Sequence, residues 1–304
     1  MRCLFVSCRA DDYVASCLWD GFQELCGEEN VIDAVGVPGF HKGCGLNPCS
    51  RISASRIGKT WDDGKAIAVD LVVVNACILR EFSWDWFSDL LRRVSFDKLV
   101  LVEGWDSSHQ VENPPFPVDA VFRREIDPYF EYPYKCHSLT MAAPSRWFVQ
   151  TDDRPFDVFY ASQSNSSESR WEVLSAMFQT KNKHRSIGAS RGVGFDNYFL
   201  YLQTHKLAIC PPGAANALDC LRTWEAVANG CIPIFLEIPM NHKIDPWFAE
   251  DECFSAQHAT MLPYWIDKAL GMDLKPIRDK MQATAREKHT TKSRAAQILK
   301  AVGM

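Results

Sequence analysis

Two uninterrupted apolar runs constrain the fold of this chain more than any other feature. Residues 70–76 read DLVVVNA and residues 98–102 read KLVLV. Runs rich in valine and leucine, without alternating polar residues, are typical of strands buried on both faces, as in parallel sheets. Parallel neighbours need a crossover connection, and residues 84–94 supply a helical pattern between the two runs. The sequence therefore predicts an α/β domain.

Strand and helix patterns alternate through both halves of the 304 residues. The first half adds predicted strands at 2–7, 30–35, 118–123 and 135–142, a helix over 14–25, and a long Gly/Pro-rich excursion over 35–64. The second half has predicted strands at 157–162, 184–188, 206–210 and 231–236, and helices at 170–179, 197–205, 260–270 and 275–302, the last broken near His289. The chain of 304 residues is longer than the ~100–200 residues usual for one domain. We expect two Rossmann-like domains, residues 1–152 and 153–304, facing each other across a cleft.

Composition excludes several classes of protein. The formal net charge is -5, so no global basic field attracts nucleic acid. The twelve cysteines are scattered through apolar segments, which predicts reduced core thiols rather than a disulfide framework. The apolar stretch at the N-terminus is short and interrupted by charges, and no window reaches the ~18 apolar residues of a spanning helix. We expect a cytoplasmic protein without a membrane span.

The segment CPPGAANALDCLRTWEAVANGCIPIF, residues 210–235, has the pattern of a ligand site. A predicted strand ends at two prolines, and Gly213 and Ala214 allow a ligand to approach the backbone. The following helix offers N–H groups to an anion. Arg222 could bind a diphosphate bidentately, and Glu225 could accept hydrogen bonds from a ribose. The alternative is a surface Arg–Glu pair on an ordinary crossover helix, with Gly213 serving only as a turn.

The same residues resemble the C-terminal motif of exostosin-type and CgeB-like glycosyltransferases of the GT-B fold. The pattern reads P-G…D-x-x-R-x-W-E-A-x-x-x-G-C-I-P and matches at Pro212, Gly213, Asp219, Arg222, Glu225, Ala226, Gly230, Cys231 and Pro233. The resemblance implies a nucleotide-sugar donor, with a UDP-sugar favoured, held by the C-terminal domain, and an acceptor held by the N-terminal domain. It also implies that Glu225 contacts the donor ribose, Arg222 the diphosphate, and the Gly213 loop the phosphate or sugar. Pro212, Ala214 and Asp219 are expected to complete the donor site. Members of this fold commonly need no bound metal, so none is expected.

Two segments offer candidates for a general base, which an inverting transferase needs at the acceptor hydroxyl. Asp106 and His109 lie in EGWDSSHQ, directly after a predicted buried strand, and Asp11 and Asp12 follow the first strand. Each has a structural alternative. Asp106 could form an Asx turn, and Asp12 could cap the first helix.

Basic residues supply further candidates. Lys183, Arg185 and Arg191 surround a predicted strand and could offset donor phosphates, although such charges are more often solvated. Arg123, Arg124 and Glu125 either face the expected cleft or form a strand of solvated charges. The final helical segment carries eight cations, which would either suit DNA or form the solvated face of an amphipathic helix that crosses back onto the first domain. They are Lys275, Arg278, Lys280, Arg286, Lys288, Lys292, Arg294 and Lys300.

Two functions are expected from the resemblance together with these residues. The first is a hexosyl- or pentosyltransferase that moves a sugar from a nucleotide diphosphate to a hydroxyl of a glycan, a small metabolite or a hydroxymethylated DNA base. The second is a catalytically inactive nucleotide-binding or scaffold module with the same fold. The sequence itself leaves the sugar, the acceptor, the stereochemistry and the oligomeric state open.

Overall fold

A computed structural model shows the architecture. It describes residues 1–7, 12–35, 59–61, 65–80, 82–104, 113–124, 126, 129–161, 168–180, 186–189, 195–213, 219–236, 248 and 252–304. The chain divides into two compact units. The first comprises Met1–Pro144 together with Thr290–Met304, and the second is Ser145–His289.

The regular elements alternate as an α/β protein requires. The strands are β1 Cys3–Val6, β2 Val31–Asp33, β3 Lys59–Thr60, β4 Ile67–Ala68, β5 Leu71–Asn75, β6 Val94–Ser95, β7 Lys98–Glu103, β8 Ala120–Arg123, β9 Cys136–Ser138, β10 Phe156–Ala161, β11 Ser186–Ala189, β12 His205–Cys210, β13 Ile232–Leu236 and β14 Phe254–Ala256. The helices are α1 Tyr13–Cys26, α2 Trp84–Leu91, α3 Glu168–Thr180, α4 Phe195–Thr204, α5 Leu221–Ala228, α6 Leu262–Leu270, α7 Leu274–Lys288 and α8 Thr291–Val302.

The first unit is built on a parallel sheet. Its strand order is β3-β2-β1-β5-β7-β8-β9, and every neighbouring pair runs parallel. The two apolar runs form its centre, with Leu71 opposite Lys98 and Val73 opposite Val100. All residues of β5 are buried, as continuous valine runs predict. The chain moves to one side of β1 and then to the other, which creates a topological switch point at the carboxyl end of β1.

Helices α1 and α8 pack together within the first unit. Gly21 of α1 lies against the backbone of Thr291, and the Thr291 hydroxyl donates to the buried carboxylate of Asp20 at 2.7 Å. Trp19 and Phe22 cover Phe5 of the sheet at centroid distances of 6.0 and 6.4 Å. The last helix therefore belongs to the first unit, although the sequence assigned it to a domain spanning 153–304.

The second unit is a smaller parallel sheet in the order β11-β10-β12-β13-β14. Its first residue is Ser145, whereas the sequence placed the boundary after residue 152. The predicted break in the terminal helices is confirmed, because α7 ends at Lys288 and His289 is its C-cap.

Two general expectations can be compared with the structure. The cysteines in the described parts of the chain are free thiols, as the sequence predicts. Within those same parts, none of the helices has the length and apolarity that crossing a membrane requires.

Candidate active site

The carboxyl end of β12 leads directly into the segment that the sequence singles out. Cys210, Pro211, Pro212 and Gly213 are buried as the strand ends, and α5 begins at Leu221. The buried face of α5 includes Leu221, Trp224 and Ala228, as the helical spacing predicts. No acidic residue lies within its first turn, and Asp219 lies two residues before its start.

An arginine from α3 holds the loop backbone at the end of β12. Nε and Nη2 of Arg170 donate to the carbonyl oxygen of Pro212 at 3.3 and 3.2 Å. Arg170 is buried, and its own carbonyl accepts a hydrogen bond from the Tyr160 hydroxyl at 3.1 Å. The turn before Gly213 is thus fixed by a cation that lies 42 residues away in the sequence.

Asp219 is fixed immediately before α5. Its Oδ1 accepts from the indole Nε1 of Trp224 at 2.9 Å, and both side chains are almost completely buried. The Trp224 ring stacks on His289 with centroids 4.9 Å apart. These contacts join the far end of the loop to the helix that follows it.

Glu225 is held by a tyrosine of α4. Only 7% of the Glu225 residue surface is exposed, and its Oε2 accepts from the Tyr198 hydroxyl at 2.9 Å. Burial and the neighbouring Glu225 raise the pKa of Tyr198 well above its ordinary value, which keeps the phenol protonated. The interpretation of Glu225 as a solvated surface charge is therefore wrong.

Arg222 belongs to the same cluster. It lies within electrostatic range of Tyr198, Cys210 and Cys220. Burial lowers the pKa of the guanidinium, but these acidic groups more than offset it, so the pKa of Arg222 is raised overall. The site thus combines a permanent cation in the first turn of α5 with a carboxylate three residues further along the same helix.

In the first unit, Asp12 is the described candidate for a base. Its Oδ1 accepts from the backbone N–H of Ala15 at 2.7 Å and from the Asn75 amide at 3.1 Å. The first bond makes Asp12 the N-cap of α1, the structural role considered from the sequence. The second ties it to the carboxyl end of β5, next to the switch point of the sheet.

A buried ion pair occupies the neighbouring strand ends. Arg123 donates to Glu103 Oε2, and the Tyr134 hydroxyl donates to Glu103 Oε1 at 2.7 Å. Arg123 and Glu103 are each 1% exposed, so the interpretation of Arg123 as part of a solvated strand is wrong. Arg124 is also buried, at 7% exposed. Glu103 was not among the predicted site residues, although a charge at the end of a continuous apolar strand indicates such a position.

Several predicted residues lie outside the described parts of the chain. They are Asp11, Asp106, His109, Glu125, Lys183, Arg185, Arg191 and Ala214. Their assignments stay predictions. In the parts that are described, no group of three or more His, Cys, Asp or Glu side chains is arranged to hold a metal ion.

Part of the basic C-terminal segment is engaged in internal contacts. Within the second unit, Arg278 donates to Asp152 at 3.0 Å, Lys275 pairs with Asp279 at 2.8 Å, and Arg286 lies over the Phe148 ring. In the first unit, Arg294 donates to the carbonyl of Thr140 at 2.9 Å. The cations also divide between the two units at His289. These contacts weaken the case for one continuous DNA footprint.

Comparisons with known proteins identify the fold. No family model matches the chain, and no curated protein matches it significantly. Among solved structures, the chain is similar to Anabaena HepE in complex with UDP-glucose, with 9% identity and a TM-score of 0.61 over 100% of this chain and 99% of the other. It is also similar to a glycosyltransferase from Rickettsia africae, with 11% identity and a TM-score of 0.57 over 99% and 97% of the two chains. A third is sucrose-phosphate synthase from Thermosynechococcus elongatus, with 11% identity and a TM-score of 0.55 over 99% and 98%. With its two parallel α/β units, the chain has the GT-B glycosyltransferase fold.

Proposed function

We propose that this protein is a glycosyltransferase that uses a UDP-sugar and transfers the sugar to an acceptor hydroxyl. The observation that carries the proposal is the cluster of Arg222 and Glu225 on α5, beside the anchored turn at Pro212. Anabaena HepE, which has a similar fold, binds UDP and UDP-glucose. That similarity supports a UDP-sugar as the donor.

The donor diphosphate binds at the start of α5. Arg222 and the N–H groups of the first turn neutralise its charge, which grows as the bond between the sugar C1 and the diphosphate oxygen breaks. Glu225 accepts hydrogen bonds from the ribose hydroxyls. Asp219 and Arg170 hold the two ends of the loop, so they act through the backbone and not through the reacting atoms.

The acceptor belongs to the first unit. Its hydroxyl oxygen forms the new bond to C1, and its proton passes to a base or to the departing diphosphate. Asp12 is the described candidate for that base, and Asp11, Asp106 and His109 remain the other proposals. The internal contacts of Arg278 and Arg294 favour a glycan or a small molecule over DNA as the acceptor.

Calorimetric titration with UDP, GDP, dTDP and their sugars tests the donor site. Wild-type protein should bind UDP, and Glu225→Ala should weaken binding at least tenfold, since hydrogen bonds to a charged group contribute about 1.5–3 kcal/mol each. Glu172→Gln, on the exposed side of α3, is the matched control and should change nothing. If no nucleotide binds to the wild-type protein, the proposal fails.

Transfer activity separates an enzyme from a binding module. Incubation with UDP-sugars and a panel of hydroxyl acceptors should release UDP and give a glycosylated product. Nucleotide binding without UDP release from any donor, and with no effect of replacing Asp12 by Asn, would instead support an inactive module with the same fold.

A further inference from the structure

Tyr198 lies next to the donor site, and no motif in the sequence points to it. It is on α4, 27 residues before Glu225, and its hydroxyl donates to Glu225 Oε2 at 2.9 Å. The contact joins the two helices at the side chain to which the proposed function assigns the ribose.

The Tyr198 ring is fixed by aromatic neighbours. It meets Phe159 of β10 edge to face, with centroids 5.5 Å apart and planes 64° apart, and Phe199 at 5.8 Å. Such packing restricts the ring to one orientation, and the hydroxyl is then directed by the strand beneath it. The Glu225 side chain has three rotatable bonds, and its hydrogen bond to the fixed Tyr198 hydroxyl restricts them.

We propose that Tyr198 is a positioning residue that orients the Glu225 carboxylate for a ribonucleotide donor, an inference that rests on the proposed function. A carboxylate has two oxygens and about four acceptor directions. With Oε2 bonded to the phenol, the carboxylate plane is set before the nucleotide arrives. Two ribose hydroxyls need two correctly directed acceptors, so the preset plane favours a ribose diol over a deoxyribose.

The test compares UDP with 2′,3′-dideoxy-UDP by calorimetry, in wild-type protein and in Tyr198→Phe. Wild-type protein should bind UDP more tightly than the dideoxy compound. Tyr198→Phe should weaken UDP binding about five- to tenfold and leave dideoxy-UDP nearly unchanged. A tyrosine that only supports the fold would weaken both nucleotides by the same factor, and that result would overturn the inference.

Tyr201→Phe is the matched control. Tyr201 lies on the same helix and its ring also contacts Phe159, at 5.6 Å. Removal of this hydroxyl should leave both affinities unchanged. If Tyr201→Phe changes the UDP to dideoxy-UDP ratio as much as Tyr198→Phe does, the effect comes from the helix and not from Glu225, and the inference is wrong.

A second variant keeps the test decisive if Tyr198→Phe lowers the stability. In the background of Glu225→Gln, Tyr198→Phe should produce no further change in the UDP to dideoxy-UDP ratio, because the tyrosine acts through the carboxylate. An additional change in that background contradicts the inference.

The failure of the proposed function can be distinguished from the failure of this inference. The proposed function fails if wild-type protein binds no UDP at all. If wild-type protein binds UDP and dideoxy-UDP equally well, the proposed donor site is retained but the role of Tyr198 is refuted.

Discussion

Trp224 donates its indole N–H to Asp219 Oδ1 at 2.9 Å, and both side chains are buried. We expect Asp219→Ala to lower the free energy of unfolding by about 2 kcal/mol, because a buried donor loses its acceptor. The same substitution releases the loop before α5 and should raise the Kd for UDP. Urea denaturation and calorimetry measure the two effects.

Asp219→Asn is the control for this prediction. Its side-chain carbonyl can still accept from Trp224, so most of the stability and of the UDP affinity should remain. Equal losses in Asp219→Asn and Asp219→Ala would mean that the negative charge matters, rather than the anchoring hydrogen bond.

The Arg170 guanidinium supports the other end of the loop. Arg170→Met keeps most of the side-chain volume but leaves the buried carbonyl of Pro212 without its two donors, at a cost of about 1–3 kcal/mol. We expect a lower thermal midpoint and weaker UDP binding, with Arg170→Lys intermediate. Glu172→Gln, exposed on the same helix, controls for a general effect on α3. Unchanged UDP affinity in Arg170→Met would show that the turn at Gly213 does not depend on this anchor.

The fold could be predicted from the sequence because its signals are local. The valine run of β5 and the leucine–valine run of β7 mark buried parallel strands without reference to the rest of the chain. Asp12 marks the start of α1 by capping chemistry. The return of α8 to the first unit was one alternative for the final helical segment, but no local pattern selects it, because it depends on packing between Gly21 and Thr291.

The residues of the candidate site also differ in whether a local sequence pattern reveals them. Arg222 and Glu225 lie within one motif, and their spacing on one helix was visible. Tyr198 and Arg170 could not be predicted from the sequence, because each reaches the site from another helix through a single side chain. The buried pair of Glu103 and Arg123 was missed because a charged strand end resembles a solvated one until its neighbour is known. Long-range polar contacts are therefore what the structure adds.

His205 should make the stability depend on pH. The ring is fully buried, its Nδ1 hydrogen-bonds to the Tyr201 carbonyl at 2.7 Å, and its Nε2 has no hydrogen-bond partner in the described parts of the chain. Burial lowers the pKa of His205, and Arg154 adds to the shift, whereas Tyr201 and Asp157 partly offset it. The folded protein therefore resists protonation of this ring more than the unfolded chain does.

The sign of the effect follows from proton binding. Below about pH 6.5 the unfolded chain binds a proton at this histidine that the folded chain does not, so the free energy of unfolding falls as the pH falls, by at most about 1.4 kcal/mol per pH unit. Urea unfolding at pH 7.5, 6.5 and 5.5 should show a smaller decrease for His205→Gln than for wild-type protein. His258→Gln, at an exposed position, should retain the wild-type profile. Identical profiles for all three proteins would refute the prediction.

Gly21 is required where α1 meets the start of α8. A methyl group at Gly21 would lie 2.0 Å from the backbone oxygen of Thr291, so the two segments must move apart. Alanine normally stabilises a helix interior relative to glycine by about 0.5–1 kcal/mol. Here the overlap with backbone should dominate, and Gly21→Ala should destabilise the protein by about 1–3 kcal/mol, the usual cost of overpacking. Gly271→Ala is the control, because its new methyl would meet its nearest neighbours at an ordinary 3.5 Å. If Gly21→Ala proves as stable as Gly271→Ala in urea denaturation, then α8 does not pack on α1 as described.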